Sequence, residues 1–261
     1  MEWKTPQWFG AADRRAQLDA HIDQADIAHF GYRRMPTAEK VDWVRRHFNR
    51  VAPKYDFMNT LLSFGIQYAW KRAAIRMMGL SRGDRVLDVC GGTADLSIMA
   101  ARQIGAGGLC VVYDINRAML KAGQPKAART PGGERIHFTQ GDAEHITFPD
   151  HTFDAAMVGF GIRNVTHMEQ GFREMHRVLK PGGTFVVTFS NRWFPPKVIK
   201  VWQDAHEFER VGLVMEYFLR DGLFGDLHTR SIRGLPRPAD DAHAHQRDAS
   251  DPVYAVWGTR A

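Results

Sequence analysis

Two carboxylates stand at the ends of neighbouring apolar runs. Asp88 lies in Arg85-Val-Leu-Asp-Val89, and Asp114 closes Leu109-Cys-Val-Val-Tyr-Asp114. Short apolar runs of this kind read as buried strands. Between them comes Cys90-Gly-Gly-Thr-Ala-Asp95, then an apolar stretch from Leu96. The pair Gly91-Gly92 lets the backbone turn tightly and leaves room for a ligand against the main chain. An acid at the end of the second strand, with Ile115 beside it, is placed to accept two ribose hydroxyls.

A dinucleotide would require G-x-G-x-x-G, so that amides at a helix start can grip a pyrophosphate. The turn lacks that spacing, and Asp95 stands where a phosphate would be repelled. S-adenosylmethionine (SAM) carries a sulfonium and no phosphate, so acids around the turn suit it better. The competing reading is a tight turn with no ligand, as any α/β domain contains.

The elements that must hold these residues alternate. Residues 1–36 are polar and irregular, an extension with one helix at most. Pro36 and Thr37 precede Val41, Val44 and Phe48 at helical spacing, with Thr37 as the expected cap. Pro53 ends that helix, and a second is expected from Leu61 to Met78; together they form a helical lid over 37–80. Strands follow at Arg85–Val89, Leu109–Asp114, Arg135–Gln140, Phe153–Gly159 and Thr184–Ser190, the last entered by a turn at Lys180-Pro-Gly-Gly183. Helices are expected from about Asp95 to Ile104, through Ala118–Ala128 and Met168–Leu179, and from about Lys197 to Arg220. Two further strands, near Leu227–Ser231 and Val253–Trp257, predict a closing antiparallel hairpin with a long connection, Pro236–Asp251. The fold class is α/β: a Rossmann-like, seven-stranded, mostly parallel sheet with an antiparallel last strand. Residues 37–261 make one domain.

The 261 residues are 44% hydrophobic and 25% charged, an ordinary globular balance. The formal net charge of +6 favours anionic surfaces. No nucleic-acid-binding motif accompanies it, so no nucleic-acid partner is expected. Cys90 and Cys110 fall on neighbouring strands and read as small buried apolar residues in a reducing compartment. No apolar run reaches membrane-spanning length, and Met-Glu-Trp-Lys-Thr-Pro shows no basic-then-apolar pattern. The expected place is the cytoplasm. His243-x-His245 lacks a carboxylate or thiol framework, so no metal site is expected.

Several segments together resemble the ubiquinone/menaquinone C-methyltransferases. They are Tyr55-Asp-Phe-Met-Asn-Thr-Leu-Leu-Ser63 with Trp70-Lys-Arg72, Asp88-Val-Cys-Gly-Gly-Thr-Ala-Asp95, Tyr113-Asp-Ile-Asn116 and Gly141-Asp-Ala-Glu144. Phe160-Gly-Ile-Arg-Asn-Val-Thr166 and Arg177-Val-Leu-Lys-Pro-Gly-Gly183 complete the set. The resemblance runs over about residues 28–190. It departs at Gln67, where a histidine is usual, and at Ala94, where the loop's last glycine is usual. Ala94 fits if its φ is negative. Gly159 replaces a serine near the cofactor, Thr188 a glutamate, and the tail after Asn191 differs.

The resemblance implies SAM as cofactor and a prenylated quinol as substrate. Asp88, Gly91, Gly92, Thr93, Asp114, Ile115, Asp142, Ala143 and Gly159 are then the cofactor residues. Thr93 and the glycines lie against the methionine part, and Asp142 with Ala143 meets adenine. Arg163 and Asn164 follow a strand at its carboxyl end, where chemistry sits in such sheets. Arginine stays protonated, so Arg163 is expected to stabilise a phenolate or orient a water while Asn164 fixes the hydroxyl, the competing reading being a structural helix-entry residue. Tyr55 completes the catalytic set. Phe57, Met58, Phe64 and Trp70 are expected to line a pocket for the prenyl tail. Arg45, Arg46, Lys71 and Arg72 offer an anionic membrane a peripheral contact. A methyltransferase of another small apolar molecule, or a non-catalytic SAM-binding protein, remain alternatives. The oligomeric state is left open.

Overall fold

In the computed structural model, the alternating apolar runs become a sheet covered on both faces. The structure describes residues 27–30, 33–63, 67–190, 207–219, 222–232 and 253–261. An antiparallel hairpin, β1 (Ile27–Phe30) and β2 (Arg33–Pro36), leads into the lid. The lid is α1 (Thr37–Val51), a 3-10 turn (Ala52–Lys54), α2 (Tyr55–Ser63) and α3 (Gln67–Met77). The core follows as β3 (Arg85–Val89), α4 (Asp95–Ile104), β4 (Leu109–Asp114), α5 (Arg117–Ala128) and β5 (Ile136–Gln140). It continues with β6 (Phe153–Gly159), α6 (Met168–Val178), β7 (Leu179–Ser190), α7 (Glu207–Leu219), β8 (Phe224–Ile232) and β9 (Val253–Arg260).

The strand order is β5-β4-β3-β6-β7-β9-β8, parallel except that β9 runs antiparallel to both neighbours. The order reverses at β3, which pairs with β4 on one side and β6 on the other. That reversal opens a crevice at the carboxyl ends of the strands. β3 and β4 are buried nearly throughout because helices cover both faces. One apolar layer centres on Phe153, Phe172, Met175, Phe185 and Phe218. The other joins Leu80, Ile98, Ile104 and Val112. On α6 the buried residues Gly171, Phe172, Met175 and Val178 recur at helical spacing, so one stripe faces the sheet.

Several details differ from the sequence reading. β1 and β2 occupy part of the segment expected to hold a helix. Strand β2 runs straight into α1, so the cap falls on Pro36 and no side chain supplies a cap hydrogen bond. Thr37 is the first helical residue. The helix expected over Leu61–Met78 is two helices: α2 begins already at Tyr55, directly after the proline-containing turn, and α3 starts at Gln67. The turn Lys180–Gly183 is absorbed into β7. The ladder shifts register between Phe153 and Ala155, and Gly182 takes a φ of +75°. Phe64, residues 191–206, the connection Pro236–Asp251 and its His243 and His245 lie outside the described residues, as do residues 1–26.

Candidate active site

Asp114 ends β4 at the reversal point. Its Oδ2 accepts the Gly92 amide at 2.9 Å and its Oδ1 accepts the Asn116 amide at 2.7 Å. Burial pushes its pKa up to about 6, against the pull of those two amides. A carboxylate oxygen has two lone pairs, so each oxygen can still accept a hydroxyl. Asn116 does more than orient the acid. Its side-chain oxygen caps α5 by accepting the Met119 amide, and its Nδ2 donates to Arg45 O and Asn49 Oδ1 of α1, both at 3.0 Å. One residue thus joins the acid, a core helix and the lid.

The glycine turn is a strained crossing of two loops. Cys90, Ala94 and Phe160 all take left-handed φ, at +56°, +67° and +61°. Each such non-glycine residue costs roughly 1–2 kcal/mol. The condition on which alanine fits the loop easily, a negative φ at Ala94, is therefore not met. Its amide closes the turn on Gly91 O at 2.9 Å, and its methyl is fully buried. Glycine is required at Gly91 and Gly161. A Cβ at Gly91 would stand 2.8 Å from both Cγ and the backbone oxygen of Asp88, and one at Gly161 would stand 2.4 Å from the Cβ of Cys90. At Gly159 a Cβ would press on a methyl of Leu96 at 2.3 Å, so the serine of the resembled pattern has no room unless Leu96 moves.

Asp88 anchors the first turn of α4. Its Oδ2 accepts both the amide and the hydroxyl of Ser97, at 3.2 and 2.6 Å. Burial pushes it up to about 7, and its buried Oδ1 has no hydrogen-bond partner among the described residues.

Thr93 turns its hydroxyl toward the lid, donating to Asp56 Oδ1 at 2.5 Å. Asp56 begins a chain of alternating charge: Asp56 to Lys126 at 2.7 Å, Lys126 to Asp95 at 2.7 Å, and Asp95 to Lys71 at 2.5 Å. Burial alone would raise the Asp95 pKa. Lys71 and Lys126 outweigh it and hold the carboxyl below its ordinary value. Two lysines also neutralise Asp95, so its repulsion of phosphate is weaker than the sequence implied.

A cleft opens beside the acid. Asp114, Ile115, Asp142, Ala143 and Asn164 line it, and Val41 and Val44 of α1 roof it. Asp142 Oδ1 accepts the Glu144 amide at 2.9 Å. Glu144, which spacing did not single out, holds the opposite wall. Its Oε1 accepts the Thr166 and His167 amides at 2.7 and 3.0 Å, and its Oε2 pairs with His167 Nδ1 at 2.6 Å. From the lid, buried Lys40 donates to Val165 O at 2.7 Å. Burial brings Lys40 down to about 8, with Glu144 opposing.

Arg163 lies in a 3-10 turn, Ile162–Asn164, just after β6. It keeps an open path to solvent. Enough protein surrounds its head to lower its pKa, and Tyr55 is near enough to counter that in part. The guanidinium stays charged. Asn164 lines the cleft, whereas Arg163 and Tyr55 are near each other but are not among its lining residues.

Among the described residues, the side chains expected to line a tail pocket do not come together, and Phe64 lies outside them. Phe57 and Met58 are exposed, and Trp70 is buried against Ala74, Met77 and Tyr254. Lys71 is nearly enclosed in its ion pair and offers little to a membrane, whereas Arg72 is exposed.

The donor set suits SAM: carboxylate acceptors for hydroxyls, apolar walls for a purine, and a buried carboxyl oxygen with an unused lone pair under the glycine turn. Comparison with known proteins agrees. The model of the ubiE/COQ5 methyltransferase family matches residues 35–206. The ubiquinone/menaquinone biosynthesis C-methyltransferase UbiE of an Enterobacter species is 40% identical over 227 residues, covering 87% of this chain and 90% of the relative. Its counterpart in Cronobacter sakazakii is 42% identical over 215 residues, 82% of this chain and 85% of the relative. These lengths carry the relationship past Asn191. The crystal structure of a SAM-dependent methyltransferase from Aquifex aeolicus has a TM-score of 0.52 at 16% identity, covering 73% of this chain and 89% of that one, and shows the shared fold. The chain is a class I SAM-dependent methyltransferase and belongs to the ubiE/COQ5 methyltransferase family.

Proposed function

We propose that the enzyme methylates a ring carbon of a prenylated quinol in ubiquinone or menaquinone biosynthesis. The substrate is of the demethylmenaquinol or 2-polyprenyl-6-methoxy-1,4-benzoquinol type. The observation that carries this reading is a convergence. Asp114 and Asn164 line one cleft under Val41 and Val44 of the lid, in a chain whose relatives are named for that reaction.

Asp114 holds the ribose hydroxyls, and Asp142 with Ala143 takes adenine. Asp88, Gly91, Gly92, Thr93, Ile115 and Gly159 shape the remaining surface. When bound, SAM supplies an electrophilic methyl on a sulfonium. A quinol ring carbon ortho to a hydroxyl is electron-rich, and the protein must bring it to about 3 Å of that methyl with water excluded, so that the carbon–methyl bond forms as the methyl–sulfonium bond breaks, and must let the hydroxyl or ring-carbon proton leave to solvent. Arg163 stabilises negative charge on the quinol oxygen, Asn164 fixes its hydroxyl, and Tyr55 bounds the acceptor from the lid. The prenyl chain lives in a bilayer, so the enzyme meets its substrate from the cytoplasm as a peripheral protein. No helix among the described residues is long and apolar enough to cross a membrane.

The test is methyl transfer from labelled SAM to each of the two quinols, reduced in the assay. Label in the ring of at least one is the expected result, and which one reports the ring size accepted. No label in either, with SAM binding intact, overturns the reading.

A further inference from the structure

Among the described residues, three large apolar side chains stand exposed, and two of them are adjacent: Phe57, 68% exposed, and Met58, 44%. They lie in the first turns of α2, which Tyr55 opens. The chain is helical from Thr37 to Ser63 apart from the 3-10 turn at Ala52–Lys54. Stepping back from Phe57 by three and four residues reaches Lys54, Arg50 and Arg46, all exposed. Residues so spaced share one helical face. A cationic ridge therefore ends in an apolar tip.

The carboxylates of this segment do not cancel the ridge. Asp56 is taken by Thr93 and Lys126. Glu39 and Asp42 lie toward the other end of α1, where Asp42 faces Arg45 at 3.6 Å. Two side chains are far too little for a stable protein interface, which buries about 800 Å² per partner. They are enough for a lipid interface, where one or two inserted apolar residues act together with a basic collar.

We propose that Phe57 and Met58 insert into an anionic phospholipid surface, with Arg46, Arg50 and Lys54 against the headgroups. The lid, with the helix α1 that roofs the cleft, is then held at the bilayer surface. The inference rests on the quinol reading for its purpose but is measured independently of it. It moves the membrane contact away from Lys71, which is committed to Asp95.

The experiment is sedimentation with phosphatidylglycerol-containing and pure phosphatidylcholine vesicles, at low and high salt. The wild-type chain binds the anionic vesicles, and binding falls on the order of tenfold or more in high salt. Phe57→Ser with Met58→Ser, and separately Arg50→Glu with Lys54→Glu, each lose on the order of tenfold in vesicle binding. The serine pair keeps wild-type SAM affinity and turnover of a short-chain, water-dispersed quinol, but methylates a long-chain quinol in vesicles much more slowly. Wild-type protein left in the supernatant, equal binding to neutral vesicles, or variants that bind as before would each overturn the docking face. Failure to methylate any quinol would overturn the substrate reading and leave the vesicle result standing.

Discussion

Asp114 accepts two backbone amides before any ligand arrives, so its oxygens are already aimed. Charge-assisted hydrogen bonds contribute roughly 1.5–3 kcal/mol each. Asp114→Ala should therefore weaken SAM on the order of 100-fold or more in calorimetry while the far-ultraviolet dichroism is retained. Hydroxyl donors favour the ionised acid, whose pKa in the free protein is about 6. Affinity should fall as the pH drops through that value, and binding near pH 6 should release a proton, read from the heat in buffers of different ionisation enthalpy. Arg163 offers a different signature. Loss of a charge-stabilising donor costs on the order of 100-fold in rate. Arg163→Ala should lower turnover by that much at saturating quinol while SAM affinity changes little; unchanged turnover would make Arg163 a structural residue.

At the scale of elements, the lid is bolted to the glycine turn by Asp56. Removing its carboxylate leaves Lys126 with one partner and Thr93 with none from the lid. Asp56→Ala should speed amide exchange in α2 and cost about 1–3 kcal/mol of stability, measured by denaturant titration. Exchange in α2 at the wild-type rate would show that other contacts hold the helix. This bolt was not legible in the sequence. Asp114, Ile115, Asp142 and Asn164 could be located because each ends or follows a strand, and strand ends share one edge of a parallel sheet. Lys71 with Asp95, Lys126 with Asp56 and Lys40 with Val165 depend on how the helices are rotated, which hydrophobic spacing does not specify. The same holds for Phe57 and Met58: an apolar side chain in an amphipathic helix is legible, but not which apolar side chain is left outside. Whether Ala94 meets its condition was not legible either, for a local reason. Its φ is set by a turn that must close on Gly91, at a cost the residue type alone does not announce.

For the whole molecule, two buried acids tilt stability with pH. Asp88 and Asp114 have folded pKa values of about 7 and 6, well above the ordinary aspartate value of about 3.9. Between those limits the folded chain holds protons that the unfolded chain has released. These two groups therefore make stability fall as the pH rises from about 4 to about 7. Asp88→Asn keeps an acceptor for Ser97 and removes the charge. It should raise the melting temperature at pH 7.5, leave it little changed at pH 5, and flatten the slope between them; an equal change at both would exclude the charge as the cause. Asn116 carries the widest reach. Its backbone amide aims Asp114, the acid proposed to hold the nucleoside, and its side chain holds α1. Reciprocity between linked equilibria then sets an order of events. A nucleoside that settles Asn116 also settles the roof above it, and a settled roof slows the nucleoside's escape. The donor should arrive first and leave last, and kinetics of SAM against quinol should follow a compulsory sequence.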